Sequence, residues 1–562
     1  MTRRSFVGNG LMVRAPSSLS RVFGWNSKRV IYRGGPILTM DASDRVADAL
    51  LVEGDRIAAV GSETEIRERA GRKGRVVDLQ GRALLPGFID AHAHFPGAGI
   101  FAVLLNLNSP PIGDIESVES IVERLRERAG STSKGDWVVG MGYDDTLLAE
   151  KRHPTRVDLD RASTEHPIAI WHISGHLAAV NSAALERVGI DAETADAEGG
   201  RIRRDPQTGE PDGVLEENDT HVLQPLLTPG LRDSWKIVRE ASRRYLAAGV
   251  TTAQNGYATA QQMKGLLWLS RLGLLPLRVI LWPGQETTDS LLDGRFSFAS
   301  PDPLWIRQGA AKIIGDGSIQ GYTGYLSAPY HVPPGDDPEY RGYPTIAREE
   351  LIEVVTRYHA QGLQVAVHGN GDACIDDILD AFEAAQRAHP RPDARHVVIH
   401  AQMARDDQLD RMAELDVIPS FFSLHTYYWG DRHREIFMGP ERAARMSPAR
   451  SAMDRGLRFT IHTDAPVVPM EPLRLVWAAV NRRSSSGASI GEAERIPPIQ
   501  ALRAVTIDAA YQHFEEREKG SLETGKLADL VILDRSPLDD PQHIDRIRVL
   551  ETIVGGKTAY RA

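Results

Sequence analysis

The stretch LPGFIDAHAHFPG, residues 85–97, joins an apolar run to two histidines one residue apart. Residues i and i+2 of a β-strand point to the same face, so His92 and His94 are expected to face one way. The apolar run favours a buried strand, and Pro96 and Gly97 mark its end. Two imidazoles at the C-terminal end of a strand form half of a metal site. The chain contains 18 histidines, so one such pair arises readily by chance and further ligands are required.

The overall composition limits the class of protein. The length of 562 residues favours two or more structural units. A net charge of −10 and a pI of about 6.0 give no electrostatic case for nucleic acid or an anionic membrane. No apolar stretch approaches the roughly 20 residues that a membrane-spanning helix needs. Cys374 is the single cysteine, which excludes an internal disulfide and leaves histidines and carboxylates as metal ligands.

The N-terminal residues 1–28 contain no acidic side chain. Residues 2–7, TRRSFV, resemble the start of a twin-arginine export signal, but Gly8, Gly10 and Arg14 interrupt the apolar region that such a signal needs. We therefore expect an N-terminal basic arm lying on a folded cytoplasmic protein, with export as the alternative.

The pattern of the remaining chain predicts an α/β fold. Short alternating runs with glycine turns occupy residues 29–84 and 520–562, which predicts one β-sandwich domain built from both chain ends. Over residues 85–519, apolar strands alternate with helical segments, a pattern typical of a parallel (β/α)8 TIM-like barrel. The first two barrel strands are too far apart for a single crossover helix, which predicts an insertion after the first strand at about residues 97–235.

Side chains able to bind a cation recur at the C-terminal ends of the predicted barrel strands, where such barrels place their active sites. His368 ends LQVAVH, His400 ends HVVIH, Asp464 ends LRFTIHTD, and Lys312 lies within AAKIIG. Each has a simpler interpretation alone: a core histidine, a turn aspartate or a surface lysine. Four separate strand ends with ligand-type groups together favour a metal site.

Several spaced motifs carry a family resemblance: PGFIDAHAH, KIIGDGSIQG, VAVHGNGDACID, HVVIHAQ, HTDAPVVPMEPLR and GSLETGKLADLVILD. They resemble the amidohydrolase superfamily, and more narrowly its branch of N-substituted formamide deformylase-like proteins (amidohydrolase family 3). The resemblance covers nearly the whole chain from Arg29 onward. The branch is chemically diverse, so the resemblance indicates the fold and the metal site more sharply than the substrate.

The resemblance implies a binuclear metal centre. It assigns to the more buried metal the ligands His92, His94 and Asp464, and to the second metal the ligands His368 and His400. Lys312 matches a position where related enzymes carry an N-carboxylated lysine bridging two metals; an unmodified Lys312 would indicate a single metal. We expect two Zn2+ ions per chain, with Mn2+ or Fe2+ as alternatives.

The same resemblance implies a hydrolase that cleaves an amide or formamide C–N bond outside peptides. A hydroxide bridging two metals would attack the carbonyl carbon, and Asp464 would accept the proton of the water and pass it to the leaving nitrogen. In WHISGHLAAVNSAAL, His176 is the second catalytic candidate and His172 is the alternative and a substrate-binding candidate. Both can also be interpreted as core or helix-start histidines.

The loop SFFSLHTYYWGDRH, residues 420–433, is rich in aromatic residues after the seventh predicted strand. Tyr427, Trp429 and Tyr322 are predicted to wall a substrate pocket, with His425 as a polar point; ordinary packing is the alternative. We expect a neutral, fairly hydrophobic small-molecule amide as substrate and no nucleic-acid or membrane partner, and a homodimer is left open.

Three further residues have expected supporting roles. Asp316 in GDGS is expected to orient Lys312 or a loop, and His462 is interpreted as a partner or packing residue rather than a ligand. Cys374 is interpreted as a buried structural thiol.

Other functions remain compatible with the same ligands. They are hydrolysis of an ester, lactone or carbamate, metal-assisted decarboxylation or isomerisation, and non-catalytic binding of a small molecule. The complete ligand set argues against a non-catalytic binding protein, because a site that no longer catalyses a reaction would be free to lose its metal ligands.

Overall fold

The computed structural model describes residues 29–71, 74–227 and 230–562. The predicted N-terminal arm and its twin-arginine-like sequence lie outside the described residues. Within these ranges, no helix combines the length and apolar character needed to cross a bilayer.

The first strands after residue 29 begin a mixed sheet. Its N-terminal elements are β1 (Arg29–Leu38), β2 (Val46–Glu53), β3 (Arg56–Gly61), α1 (Glu63–Ala70), β4 (Arg75–Asp78) and β5 (Ala83–Pro86). Strands β1, β2 and β3 are antiparallel neighbours, with Ile31 opposite Leu51. Strand β5 runs parallel to β1.

The opening stretch is divided between two sheets. A single strand from Leu85 into the histidine pair was a wrong prediction, because β5 keeps Leu85 in the terminal sheet and β6 (Phe88–Ile89) pairs with a barrel strand. Gly87 stands between them, and a Cβ there would lie 2.2 Å from the Thr251 side chain. The close approach of the backbone at Gly87 therefore lets the chain change sheets within a few residues.

An inserted subdomain follows β6 and forms a six-stranded sheet in the order β11-β12-β10-β9-β8-β7. Its elements are β7 (Leu105–Asn106), α2 (Val118–Gly130), β8 (Val138–Tyr143), α3 (Arg156–Asp160), β9 (Ile168–His172), β10 (Leu177–Val180), α4 (Ser182–Val188), β11 (Gly200–Arg204) and β12 (Pro211–Glu217). The apolar face of α2, including Ile121 and Leu125, packs in one buried cluster with Val138 of β8 and Ile170 of β9.

Parallel strands with buried residues form the TIM-barrel-like part of the chain. They are β6, β13 (Val250–Ala258), β14 (Arg278–Pro283), β15 (Ile306–Gln308), β16 (Ala311–Ile314), β17 (Val365–Gly369), β18 (Val397–His400), β19 (Ile418–Phe421) and β20 (Thr460–Ile461). They pair in two sheets, β15-β14-β13-β6 and β16-β17-β18-β19-β20. A parallel bridge from Gly284 to Lys312 links the sheets, and the Asp464 N–H donates to the His92 carbonyl at 3.2 Å.

Helices alternate with these strands and cover them. They are α5 (Leu231–Ala247), α6 (Ala260–Arg271), α7 (Gln285–Leu292), α8 (Arg348–Ala360), α9 (Asp372–Ala388), α10 (Asp406–Glu414), α11 (His425–Tyr428), α12 (Gly430–Arg432), α13 (Gly439–Arg445), α14 (Ala449–Asp454), α15 (Pro472–Asn481), α16 (Pro498–Ala504) and α17 (Ile507–Gln512). Sheets covered on both faces bury both faces of each strand, which accounts for the continuous apolar runs.

The C-terminal strands complete the first sheet. They are β21 (Leu530–Leu533), β22 (Val549–Val554) and β23 (Lys557–Arg561). Strand β21 is antiparallel to β5, so both chain ends share one eight-stranded sheet in the order β23-β22-β21-β5-β1-β2-β3, with β4 beside β1. A buried ion pair of 2.7 Å between Arg278 and Asp529 joins this sheet to β14. The two-layer sandwich stays a prediction.

Candidate metal centre

Three imidazoles and one carboxylate converge at the C-terminal ends of the barrel strands. The Nε2 atoms of His92 and His94 lie 3.5 Å and 3.2 Å from Oδ1 of Asp464. The Nε2 atom of His400 lies 3.9 Å from Oδ2 of the same carboxylate. The side chain of His94 is 38% exposed and that of His92 is 1% exposed, so the centre opens to solvent on the His94 side.

The donor atoms of this group fit a divalent cation. Atoms of His92, His400 and Asp464 all lie within 4.8 Å of one another. The buried Oδ1 atom of Asp464 receives no hydrogen bond of good geometry, although such atoms are normally satisfied. Burial, then nearby positive groups, hold the pKa of His92 and of His400 well below the usual value, so both rings are neutral, which is the form in which an imidazole can bind a cation. Nitrogen and oxygen donors of this kind suit Zn2+.

Asp464 keeps its negative charge in this buried position. Burial opposes the charge, but contact with His94 and the nearby His462 and Lys312 hold the pKa of Asp464 well below its usual value. An ionised carboxylate at this point can bind a cation and accept a proton.

His368 stands beside this group and is oriented by Asp316. The Nδ1 atom of His368 lies 3.0 Å from Oδ1 of Asp316, and the ring of His368 lies 4.5 Å from that of His400, between centroids. Asp316 also accepts the backbone N–H groups of Asn370 and Gly371 at 3.0 Å and 2.8 Å. Asp316 thus fixes His368 and its loop; within the described ranges it has no contact with Lys312.

Lys312 lies inside the centre without a carboxylate ion pair among the described residues. It is 2% exposed, and its Nζ lies 3.4 Å from Nε2 of His92. Burial lowers the pKa of Lys312 to about 7, so a substantial fraction of the amine is neutral near neutral pH. A neutral amine is the form that can react or be modified.

His462 is hydrogen-bonded to a predicted ligand. Its Nε2 lies 3.1 Å from Nδ1 of His400, and its Nδ1 lies 2.9 Å from Oγ of Ser420. If His400 offers Nε2 to a cation, the proton of the neutral ring sits on Nδ1 and is donated to His462. His462 therefore sets the orientation of His400.

His176 reaches the centre from the inserted subdomain. Its ring centroid lies 5.1 Å from that of His368, and its Nδ1 lies 2.7 Å from Oε2 of Glu217. Burial opposes protonation, but the charge and hydrogen bond of Glu217 raise the pKa of His176. Glu217 was missed in the sequence; its only signal was its position as the second of two glutamates directly after the short apolar stretch GVL.

His172 is not part of this group. Its Nε2 lies 3.2 Å from Oδ1 of Asp145, and its Nδ1 contacts Oγ of Ser174 at 2.8 Å. All of these residues belong to the inserted subdomain. The role of His172 as an alternative to His176 and as a substrate-binding residue stays a prediction.

The predicted aromatic wall is divided. The ring of His425 lies 6.1 Å from that of His400 and 5.8 Å from that of Trp429, so these two residues extend from the centre toward the inserted subdomain. Tyr427 instead packs on Trp477, 5.8 Å between centroids.

Tyr322 belongs to a separate apolar cluster. Its ring lies 5.0 Å from those of both Tyr330 and Phe437. Among the described residues, its ring contacts are with these two, and no contact with a residue of the centre is found.

The chain is similar to known proteins over nearly its whole length. The model of the amidohydrolase family, Amidohydro_3, matches residues 75–560. N-substituted formamide deformylase of Arthrobacter pascens is 30% identical over 541 residues, covering 93% of this chain and 97% of that protein. An uncharacterised metal-dependent hydrolase from Pyrococcus horikoshii superposes with a TM-score of 0.72 at 25% identity, covering 92% of this chain and 99% of that one. A similar hydrolase from Pyrococcus furiosus gives 0.69 at 27% identity, covering 91% of this chain and 100% of that one.

Proposed function

This chain belongs to the amidohydrolase family and is a metal-dependent hydrolase, and from that premise we propose that it hydrolyses a non-peptide carbon–nitrogen bond in an amide or formamide. The observation that carries the proposal is the convergence of three imidazoles on Asp464. The similarity to the formamide deformylase of A. pascens supports the choice of bond.

The proposed centre holds two Zn2+ ions. His92, His94 and Asp464 would bind one ion, and His368 and His400 the other. When bound, the ions lower the pKa of a water molecule toward neutrality and polarise the oxygen of a carbonyl group.

Lys312 is the proposed bridging group in a modified form. Its neutral amine can add to the carbon of carbon dioxide and release a proton, which produces a carbamate with two anionic oxygens. A buried ammonium has no lone pair for a cation, whereas the carbamate has several. The burial of Lys312 without a carboxylate ion pair among the described residues supports this proposal.

Asp464 is the proposed proton carrier. Its Oδ1 is buried beside two imidazoles and receives no hydrogen bond of good geometry, which leaves an acceptor position for the proton of the attacking water. Asp464 would then donate that proton to the leaving nitrogen, first as general base and then as general acid.

His176 is the proposed electrostatic partner of the reacting carbonyl. Glu217 accepts a hydrogen bond from Nδ1 at 2.7 Å, so Nε2 is the nitrogen left to donate. A cationic imidazole at the edge of the centre would stabilise the negative charge that develops on the carbonyl oxygen. His425 and Trp429 are proposed to contact the apolar part of a small amide substrate.

The remaining expectations are also proposals. They comprise a cytoplasmic location, a small-molecule amide as the substrate, and the absence of nucleic-acid or membrane partners. A monomer and a homodimer are distinguished by sedimentation of the purified chain.

The proposed function is tested by metal analysis and a substrate panel. Purified protein is assayed on formamides, acylated amines, cyclic amides and lactones, with and without a chelator. We expect chelator-sensitive turnover of formamides or acylated amines, and one fewer ion in Lys312→Met than in the unmodified sequence. Turnover confined to lactones would overturn the C–N assignment, and protein that binds no divalent ion would support the non-catalytic binding relative.

A further inference from the structure

A second group of ligand-type side chains is buried in the inserted subdomain. Asp145 follows β8, His153 lies in the next loop, and His172 ends β9. Oδ1 of Asp145 lies 3.2 Å from Nε2 of His172, and its Oδ2 lies 3.7 Å from Nε2 of His153. These nitrogen–oxygen separations fall in the range of 3.2 to 3.9 Å found around Asp464.

Two of the atoms in this group are buried without a partner. Asp145 is 8% exposed and His172 is 0% exposed, and neither Oδ1 of Asp145 nor Nε2 of His172 makes a hydrogen bond of good geometry. Across the described ranges, no lysine or arginine forms an ion pair with Asp145. A buried carboxylate of this kind requires a compensating positive charge, which here comes either from a protonated His153 or His172 or from a bound cation.

The outer nitrogens of both histidines already have partners. Nδ1 of His172 contacts Oγ of Ser174 at 2.8 Å, and Nδ1 of His153 contacts the hydroxyl of Tyr143 at 3.2 Å. A histidine that binds a metal through one nitrogen generally donates its other N–H to such a group, which fixes the ring. The Ser174 N–H also donates to Nδ1 of His172 at 3.2 Å. A neutral ring that accepts this bond carries its proton on Nε2 and donates it to Asp145, so a cation at Nε2 would shift that proton to Nδ1, toward Oγ of Ser174. The two cases differ in metal content.

Asp144 is close to this group but is already engaged. Its Oδ1 accepts the Thr146 N–H at 3.1 Å. Its Oδ2 accepts Trp429 Nε1 at 3.1 Å and Arg432 at 2.7 Å. The arginine balances the charge of Asp144, so Asp145 alone offers a free carboxylate.

We propose that Asp145, His153 and His172 bind a divalent cation, with Zn2+ the first choice, at a site separate from the centre around Asp464. Two imidazoles and a carboxylate, with water completing the coordination, form a set that Zn2+ accepts. Ser174, which contacts His172, also accepts the His176 N–H at 3.2 Å. The cation would therefore brace the segment that carries His176 to the barrel.

The test counts zinc in a chain whose barrel centre has been removed. The background variant is His92→Ala, His94→Ala, His368→Ala, His400→Ala and Asp464→Asn, dialysed against Zn2+ and analysed by mass spectrometry. We expect one Zn2+ per chain in this variant, and loss of that ion when His153→Gln or Asp145→Asn is added. Because the barrel centre is absent, the result does not depend on the proposed hydrolysis.

The matched control is His166→Gln, a buried histidine of the same subdomain whose Nδ1 contacts the Asp136 carbonyl at 3.0 Å. It should retain the zinc. Zn2+ should also raise the melting temperature of the background variant and not that of the His153→Gln form. A background variant without zinc, or one whose zinc survives both His153→Gln and Asp145→Asn, would overturn the proposal and identify the group as an ion-pair network.

Discussion

The centre around Asp464 and the group around Asp145 use the same kinds of side chain but are positioned by different structures. The ligand-type residues of the first follow separate barrel strands and are far apart in the sequence. Those of the second come from two strand ends and a loop of one inserted subdomain. The barrel centre therefore depends on both parallel sheets, whereas the second group requires only its own subdomain. This difference predicts that substitution of the ligand-type residues of one site leaves metal binding at the other site unchanged.

The largest expected effect is that of Asp464→Asn. The amide keeps the shape of the side chain but cannot carry the proton, so we expect kcat to fall about 100- to 10,000-fold. Steady-state rates on the best formamide or acylated amine measure the loss, and circular dichroism checks the fold. A rate near that of the unmodified sequence would show that Asp464 is not the proton carrier. A loss of zinc from the Asp145 group in this variant would show that the two sites are not independent.

The next largest effect is expected from a substitution where the inserted subdomain meets the barrel centre. Glu217→Gln removes the charge that raises the pKa of His176, so the imidazolium is lost at lower pH. We expect kcat/KM to fall about tenfold and the alkaline limb of its pH profile to move to lower pH. The control is Glu216→Gln, whose carboxylate contacts the Tyr343 hydroxyl at 3.3 Å. An unchanged alkaline limb in Glu217→Gln would contradict the role of His176.

A smaller effect is expected from His462→Phe. The variant keeps a ring in the barrel interior but removes the acceptor for Nδ1 of His400, so we expect Zn2+ affinity at the barrel centre to weaken about tenfold. Competition with a zinc-binding dye measures the affinity. Ser420→Ala, one hydrogen bond further out, should change it less. Equal Zn2+ affinities of His462→Phe and the unmodified sequence would show that His400 binds the ion without its hydrogen bond to His462.

The smallest effect on turnover is expected from His153→Gln in the otherwise unmodified chain. Loss of the second cation loosens the segment before His176 without touching the barrel ligands, so kcat/KM should fall by less than about tenfold. Rates at saturating Zn2+ give the comparison with His166→Gln. A loss as large as that of Asp464→Asn would mean that the two regions are not independent.

The sequence was most informative where strands end. His92, His400 and Asp464 could be placed together because the carboxyl ends of parallel strands meet at one face of a barrel. The family and the TIM-barrel-like fold were confirmed. Ring orientation could not be predicted in the same way, which is why the hydrogen bond between His400 and His462 required the structure.

Residues outside the strand ends were harder to place. Glu217 belongs to the inserted sheet, and only the packing of that sheet on the barrel brings it and His176 to His368. His425 and Tyr427 are two residues apart on the short helix α11, so their side chains point in different directions. Tyr427 therefore packs on Trp477 while His425 faces the centre.

The position of β5 between β1 and β21 has a consequence for synthesis of the chain. Ala83 pairs with Leu533, so one edge of the early sheet stays open on the ribosome until almost the whole polypeptide has been translated. An open edge followed directly by the first barrel strand invites association with other nascent chains. Pairing of β21 with β5 closes this edge, and we expect slower pairing to lower the yield of correctly folded chain.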